Sequence, residues 1–488
     1  CYSGRRGGQP PRDPVAMLRC LLLMIMCGHT DPNRWCKRLL GEPELKVISG
    51  FTADEQRPGV GTFYDFFGRL LDGPYQVRCA HQAQRPSERV QGRSFARHLL
   101  QEKAAVKAQT QDALATEKGG LVELLADQAI AQRACRLPQD LTQRLNELLL
   151  RCTVLPSAKL GFLGDLRRLV VSGDGTALAS HASGDGHTLC ECRAQGVPRC
   201  DCPRFYSDPE ATWGYDSARE RYYFGYRLHV MTTRGDGEDL PLQVQLEGAH
   251  TPDVLQGIVG ISRLSRRLAE SDMPVRLFAA VYDKGYDAEG FYRLHRSLHI
   301  CPVIPLSQER KTPQCSQGYR RDDQGRPLCV ADLPMRLHQR SDKELLYHCP
   351  VKRPTHRNGK LVFVAREEEC PRGALCEPDS VMGPLLHIKL GGDPRMNLPI
   401  PRESEEFARL YKQRTAAERY NATLKSKGRM EHGASRRKHV LHTLAVLHAM
   451  ELHADVWVKR LLGQERPTTA EQLLAWLAQS TAEPKLAA

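Results

Sequence analysis

The stretch Val275-Arg276-Leu277-Phe278-Ala279-Ala280-Val281-Tyr282-Asp283-Lys284-Gly285-Tyr286 decides the fold. Its short apolar run has the length and composition of a buried strand, and the run stops at an aspartate followed closely by glycine. Upstream, Leu169-Val170-Val171-Ser172-Gly173-Asp174-Gly175-Thr176 repeats the design, so a second buried strand is expected to deliver Asp174 at or near its end. Beyond Asp283, Asp287 is expected to cap a helix running through Leu298, and Ile300-Cys301-Pro302-Val303-Ile304-Pro305-Leu306 reads as the next strand. Strand, helix and strand make a βαβ unit, and the fold class is α/β. Ligands of open α/β sheets gather at the carboxyl ends of strands, so Asp174 and Asp283 are placed to converge. Alone, each aspartate beside glycine reads as a turn residue, and Asp185, Asp216, Asp253 and Asp287 read as turn or cap residues too.

A third acid comes from the far end of the chain. Tyr411, Arg414, Glu418 and Lys425 lie in a segment without Gly or Pro and fall inside roughly a 60° arc of a single helix. That face sets a carboxylate between two cations and a phenol. Such a grouping suits a metal-bound phosphodiester: the carboxylate holds a divalent cation, Arg supplies a planar fork to phosphate oxygens, and Lys a point charge. Taken alone, the pair Arg414 and Glu418 is an ordinary solvated ion pair one helical turn apart.

Together these blocks resemble the DDE transposases of bacterial insertion sequences, the group marked by a Tyr-x2-Arg-x3-Glu-x6-Lys signature. The signature is matched without a gap at Tyr411, Arg414, Glu418 and Lys425; Asp174-Gly175-Thr176 and Asp283-Lys284-Gly285-Tyr286-Asp287 resemble the first and second catalytic blocks. Between them, Tyr223 to Val230 and Leu240 to Val244 resemble the strand pair that follows the first Asp, trailed by Gly248-Ala249-His250-Thr251-Pro252-Asp253. The resemblance implies an RNase H-like catalytic core interrupted by a mostly β insertion, with a helical N-terminal domain. It makes Asp174, Asp283 and Glu418 the catalytic, metal-binding triad, and gives Tyr411, Arg414 and Lys425 to DNA. Three carboxylates can hold two Mg²⁺ roughly 4 Å apart, one activating water or a 3′-hydroxyl and the other stabilising the leaving oxygen, with Mn²⁺ able to substitute. The implied activity is DNA cleavage and strand transfer on terminal inverted repeats and target DNA, with a homodimer in the synaptic complex. The alternatives are a chemically inert DNA-binding descendant and an RNase H-like nuclease without strand transfer.

Composition agrees. The 488 residues carry a formal net charge of +13, which favours a polyanionic partner, nucleic acid first. Leu21 to Cys27 is far shorter than the roughly 20 apolar residues that span a bilayer and lacks a signal-peptide cleavage site, so a cytoplasmic location is expected, nucleoid-associated when bound to DNA. Cys1 stands where an initiator Met would, so a chain trimmed or incompletely predicted at its start is expected. No Walker-type glycine loop supports ATP chemistry.

The seventeen cysteines read as thiols or metal ligands rather than bridges. Cys190, Cys192, Cys200 and Cys202 form two Cys-x-Cys pairs, a candidate structural zinc clamp set against the alternative of reduced cysteines in an insertion loop. Cys329, Cys349, Cys370 and Cys376 are a looser set, while Cys20, Cys27, Cys36 and Cys79 look like small core residues. The angular spread of His439, His442, His448 and His453 argues for ordinary polar helix positions. The chain divides into a helical N-terminal domain at 1–81, a linker and helical region at 82–160, core at 161–306 with a Cys-rich loop at 187–203, a partly β insertion at 307–399, core helices with the third acid at 400–462, and a tail at 463–488.

Overall fold

A computed structural model describes residues 12–52, 57–70, 120–133, 141–307, 315–463 and 475, apart from 189, 198–199, 201–203, 317, 366–369, 372–375, 377–379, 427–429 and 431–436. The linker expected from 82 and the tail, Gly463 and Ala475 excepted, lie outside these residues. Helices α1 (Pro14–Met26), α2 (Pro32–Gly41), α3 (Glu44–Ile48) and α4 (Val60–Leu70) open the structure. Two of them start on the same chemistry. Asp13 accepts from the amides of Val15 and Ala16 and Asp31 from that of Asn33, each with Pro just inside the helix, where its missing N–H costs nothing. Cys20 and Cys36 are buried between them, as expected of small core residues. Then come α5 (Leu121–Ala131), α6 (Leu141–Leu149) and α7 (Leu155–Lys159), the last two joined by a π-turn at Leu150–Val154.

One mixed sheet carries the centre of the molecule. Its strands are β1 (Leu169–Ala179), β4 (Thr212–Asp216), β5 (Arg221–Gly235), β6 (Glu238–Gly248), β7 (Leu277–Val281) and β8 (Cys301–Val303), in the order β4-β5-β1-β7-β8 with β6 also paired to β5. A two-residue ribbon, β2 (His187–Thr188) with β3 (Arg204–Phe205), stands apart in the loop after β1. The strands β1, β5 and β6 run antiparallel, whereas β1, β7 and β8 run parallel. Parallel neighbours need a crossover, and α9 (Glu289–Ser297) supplies it between β7 and β8, completing the expected βαβ unit; α8 (Asp253–Ala269) precedes β7.

The first strand departs from expectation: β1 does not end near Asp174 but continues to Ala179, with Asp174 opposite Val230 inside the ladder. Its flanking glycines serve close approach rather than a turn. A Cβ on Gly173 would lie 2.4 Å from the Tyr282 ring, and one on Gly175 would lie 1.8 Å from the Asp253 carboxylate.

Asp287 is the second departure. It caps no helix, because α9 starts at Glu289 after Ala288. Instead Asp287 is wholly buried and accepts from Arg395 Nε (2.8 Å) and the second Arg395 nitrogen (2.7 Å), from the Tyr292 hydroxyl (2.9 Å) and from the Ser307 amide (2.9 Å). Burial pushes its carboxyl up, but the Arg395 bonds and the Ser307 amide outweigh it and hold the group below the ordinary carboxylate value. Arg395 lies 108 residues away in sequence, which is why local pattern reading gives Asp287 the commoner role of a cap.

Between β8 and the last helices run β9 (Cys315–Ser316), β10 (Tyr319–Arg320), β11 (Arg336–Arg340), β12 (Glu344–His348), β13 (Lys352–Arg357), β14 (Lys360–Ala365) and β15 (Leu386–Lys389). They form small separate sheets, and Tyr319, Met335, Leu345, Tyr347, Ile388 and Leu390 make a core of their own. The chain then closes with α10 (Glu405–Tyr411), α11 (Thr415–Ser426) and α12 (Lys438–Leu462). Helix α12 packs on β6, α1, α4 and α6, so the N-terminal helices share one continuous hydrophobic core with the sheet. Its histidines are buried rather than ordinary polar positions: His442 meets the Val244 carbonyl (3.1 Å), and His453 spans from the Pro241 carbonyl (2.8 Å) to Ser157 Oγ (2.8 Å).

Removing one partner of the Asp287 and Arg395 pair leaves a buried charge without its counterion. Arg395→Met is expected to lower stability against urea by about 3–5 kcal/mol. A loss below about 1 kcal/mol would contradict this account of what ties residues 315–399 to the βαβ unit.

Candidate active site

Successive residues of a strand face opposite sides of its sheet, so Asp174 looks towards α11 while Gly173 and Gly175 look towards Tyr282 and Asp253. On the α11 side, Asn421 Nδ2 donates to Asp174 Oδ2 at 2.9 Å, and the oxygen of the same amide, Asn421 Oδ1, is buried without a hydrogen-bond partner. On the other side, the Asp253 carboxylate rests on Gly175 and is gripped by Arg227 at 2.5 Å from each of two nitrogens. The Asp174 carboxyl is pushed up to about 7, first by burial, next by the negative charge of Asp253, then by Asp283 and Glu418; the Asn421 bond opposes the rise. Asp174 is therefore in electrostatic reach of both other predicted acids.

Asp283 follows β7 directly and turns the chain into a short 3₁₀ segment, Lys284–Tyr286, with its own carboxylate accepting from the Gly285 amide at 2.8 Å. A cleft of about 320 Å³ opens here, lined by Arg227, His250, Thr251, Asp253, Asp283 and Tyr286 among others.

The segment from Tyr411 to Lys425 is not one helix. Helix α10 ends at Tyr411, a 3₁₀ turn covers Lys412–Arg414, and α11 begins at Thr415. The Thr415 hydroxyl donates to the Lys412 carbonyl at 3.1 Å, a local side-chain bond of the kind that competes with the regular ladder and favours the tighter turn. The four signature residues nevertheless stay by the acids: Arg414, Glu418 and Lys425 lie in electrostatic reach of Asp174, and Tyr411 in that of Asp283 and Glu418. Arg414 donates to Glu418 at 2.5 Å and stands 5.8 Å from the Tyr411 ring centre; burial raises the Tyr411 hydroxyl, Arg414 opposes, and Asp283 and Glu418 add to the rise. Lys425 is half-buried, and burial followed by Arg219 and Arg227 lowers its ammonium value against the pull of Asp216 and Asp174.

Asp174, Asp283 and Glu418 thus share one end of the sheet without closing to metal-ligand spacing. Among the described residues, Cys190, Cys192 and Cys200 are the one group of three or more His, Cys, Asp or Glu whose ligand atoms all lie within 4.8 Å of one another. Glu418, with 43% of its side chain exposed, leans on Arg414. The donor set fits a hard divalent cation: oxygens from three carboxylates, one of them half-buried and raised by burial and then by like charge, beside the orphaned amide oxygen of Asn421. Sequence reading missed three members of this site. Asp253 and Arg227 sit inside blocks it quotes for other reasons, and Asn421 follows Glu418 by three residues, a spacing that places both on one helical face. Of the candidate zinc ligands, Cys202 lies outside the described residues, and the looser set of Cys329, Cys349, Cys370 and Cys376 forms no such group among them.

The family model for the transposase DDE domain matches residues 174–452, more than half of the chain, opening on Asp174 and taking in Asp283 and the whole block from Tyr411 to Lys425. The chain belongs to the DDE transposase family, nucleic-acid phosphoryl-transfer enzymes that act on DNA and generally use divalent metals. A search of curated proteins gives no match. Among the described residues no helix is long and apolar enough to cross a membrane.

The raised Asp174 carboxyl has a stability consequence of definite sign. Between the unfolded value near 4 and the folded value of about 7, the folded chain holds a proton that the unfolded chain has released, so this contribution is lost as pH rises through that window. In chelator, Asp174→Asn is expected to remove that part of the pH slope and to stabilise the chain at pH 8 by on the order of 2 kcal/mol. Millimolar Mg²⁺ should raise the melting midpoint of the parent chain but not that of the variant; identical slopes and identical Mg²⁺ responses would contradict the reading.

Proposed function

We propose that this chain is the DNA transposase of a bacterial insertion sequence, cleaving phosphodiesters at the element's ends and joining the freed 3′-hydroxyl to target DNA. The observation that carries the reading is that Asp283 and Glu418 lie within electrostatic reach of Asp174, the three coming from the end of β7, α11 and β1, inside the span of the family match. A sheet in which β1, β5 and β6 run antiparallel and β7 and β8 run parallel to β1, with β4 as a further antiparallel strand on β5 and with Asp174 and Asp283 at the adjacent strands β1 and β7, supports an RNase H-like core. Residues 307–399, whose small sheets pack a separate core, support the reading of an insertion between the second and third acids.

In this reading Asp174, Asp283 and Glu418 hold Mg²⁺, with Mn²⁺ able to replace it. Bound there, the cations supply Lewis acidity to the attacking and leaving oxygens of an in-line displacement. The protein's own groups do the rest. Asn421 fixes one Asp174 oxygen and thereby aims the other. Arg227 neutralises Asp253, so this fourth acid adds less negative charge than its proximity implies. Arg414 carries a fork that suits a phosphate as well as it suits Glu418; passing from the carboxylate to a DNA phosphate would release Glu418 for metal. Lys425 adds a point charge to the same phosphate path, and Tyr411 lies against the backbone or a flanking base. The net charge of +13 suits DNA and a place on the nucleoid in the cytoplasm, and synapsis of two ends calls for a homodimer.

Purified chain with Mg²⁺ and an oligonucleotide bearing the element's ends is expected to nick it, and a pre-cleaved 3′-hydroxyl end to be joined to target. Glu418→Gln should slow both steps by roughly 10³-fold, or about 4 kcal/mol of transition-state stabilisation, while leaving DNA affinity largely intact. Full activity in that variant refutes the metal role of Glu418, and cleavage without joining refutes strand transfer.

A further inference from the structure

We infer that Cys190, Cys192 and Cys200 bind a structural zinc ion at the tip of the loop between β1 and β4. The three sulfurs lie within 4.8 Å of one another, and Cys190 Sγ is 3.4 Å from Cys200 Sγ. That separation is far beyond the roughly 2.05 Å of a disulfide and close to the about 3.8 Å edge of a tetrahedron with zinc–sulfur bonds near 2.3 Å. Three thiolates leave one position of the tetrahedron for a further ligand, and their softness favours zinc over the hard cation expected at the carboxylates.

The loop has the build of a segment that needs such a staple. Its base is pinned: Asp208, wholly buried, accepts from Ser180 Oγ (2.6 Å), from the Tyr226 hydroxyl and from the Arg437 amide (3.0 Å). Above the base, the strand pairing among the described residues is the two-residue ribbon of β2 and β3. Among the residues from 183 to 207 whose side chains are described, none is buried, so these supply no apolar core to fix the tip. Between the cysteines the chain turns tightly, with the Gln195 amide donating to the Cys192 carbonyl (3.1 Å), the Val197 amide to the same carbonyl (2.8 Å), and Gly196 at φ +82°. The turn brings the first pair of sulfurs back to face Cys200. A metal would supply the ordering that packing does not.

Two measurements on the full chain, purified under reducing conditions, decide this. Elemental analysis should give about one zinc per chain more in the parent protein than in Cys190→Ser/Cys192→Ser/Cys200→Ser, with Cys152→Ser, an exposed cysteine elsewhere, unchanged from the parent. Because the triple variant can misfold, site-resolved alkylation of the parent chain alone provides a second readout. Cys190, Cys192 and Cys200 should react at least tenfold more slowly than Cys152 until a strong chelator is added, and then at comparable rates. Equal zinc in parent and triple variant, alkylation of the three thiols as fast as Cys152 without chelator, or a Cys190 to Cys200 disulfide in zinc-free protein would each overturn the inference.

Discussion

Carboxylates held close together in a half-buried setting repel one another, and at Asp174 that repulsion organises its surroundings. Each of the nearby acids has a different answer. Asp253 is met by Arg227, Glu418 by Arg414, and one oxygen of Asp174 by the amide of Asn421. Among the described residues neither Asp174 nor Asp283 has an ion pair of its own. Burial first, and the uncompensated charge of its neighbours next, raise the Asp174 carboxyl to about 7, and a divalent cation is the partner that would offset both.

The backbone is shaped to permit this crowding. Gly173 and Gly175 let Tyr282 and Asp253 come against β1 from the side opposite Asp174, at separations no side chain would tolerate. Thr415 interrupts the regular helix before Glu418, and the break reorients Tyr411 and Arg414 without removing them from the acids. Helix α12, tied to β6 through His442 and His453, braces the sheet from behind and joins it to α1 and α4. The N-terminal helices therefore share the hydrophobic core on which the site is built.

What could be read from the chain is what depends on near neighbours in sequence. The run from Val275 to Val281 ends in Asp283 because a buried strand and the turn after it are local features, and the βαβ crossover follows from their spacing. The pattern at Tyr411, Arg414, Glu418 and Lys425 identifies the third acid even though its helix is broken. What could not be read depends on partners far away. Asp287 looks like a cap until Arg395 arrives from 108 residues on, and Asp253 looks like a cap until Gly175 proves to be its floor. The glycines beside Asp174 mimic a turn because close approach and chain reversal both call for a missing Cβ. Likewise, His442 and His453 of α12 show no telling spacing, since they meet carbonyls of β6.

The central claim is that Asp174, Asp283 and Glu418 come together around divalent metal. The most direct measurement is anomalous diffraction from crystals of the chain bound to a DNA end and soaked in Mn²⁺. The account predicts peaks about 2.1 Å from carboxylate oxygens of all three residues, with Arg414 moved from Glu418 to a phosphate. Mn²⁺ bound elsewhere, with Glu418 still clasped by Arg414 and distant from Asp174, would contradict it.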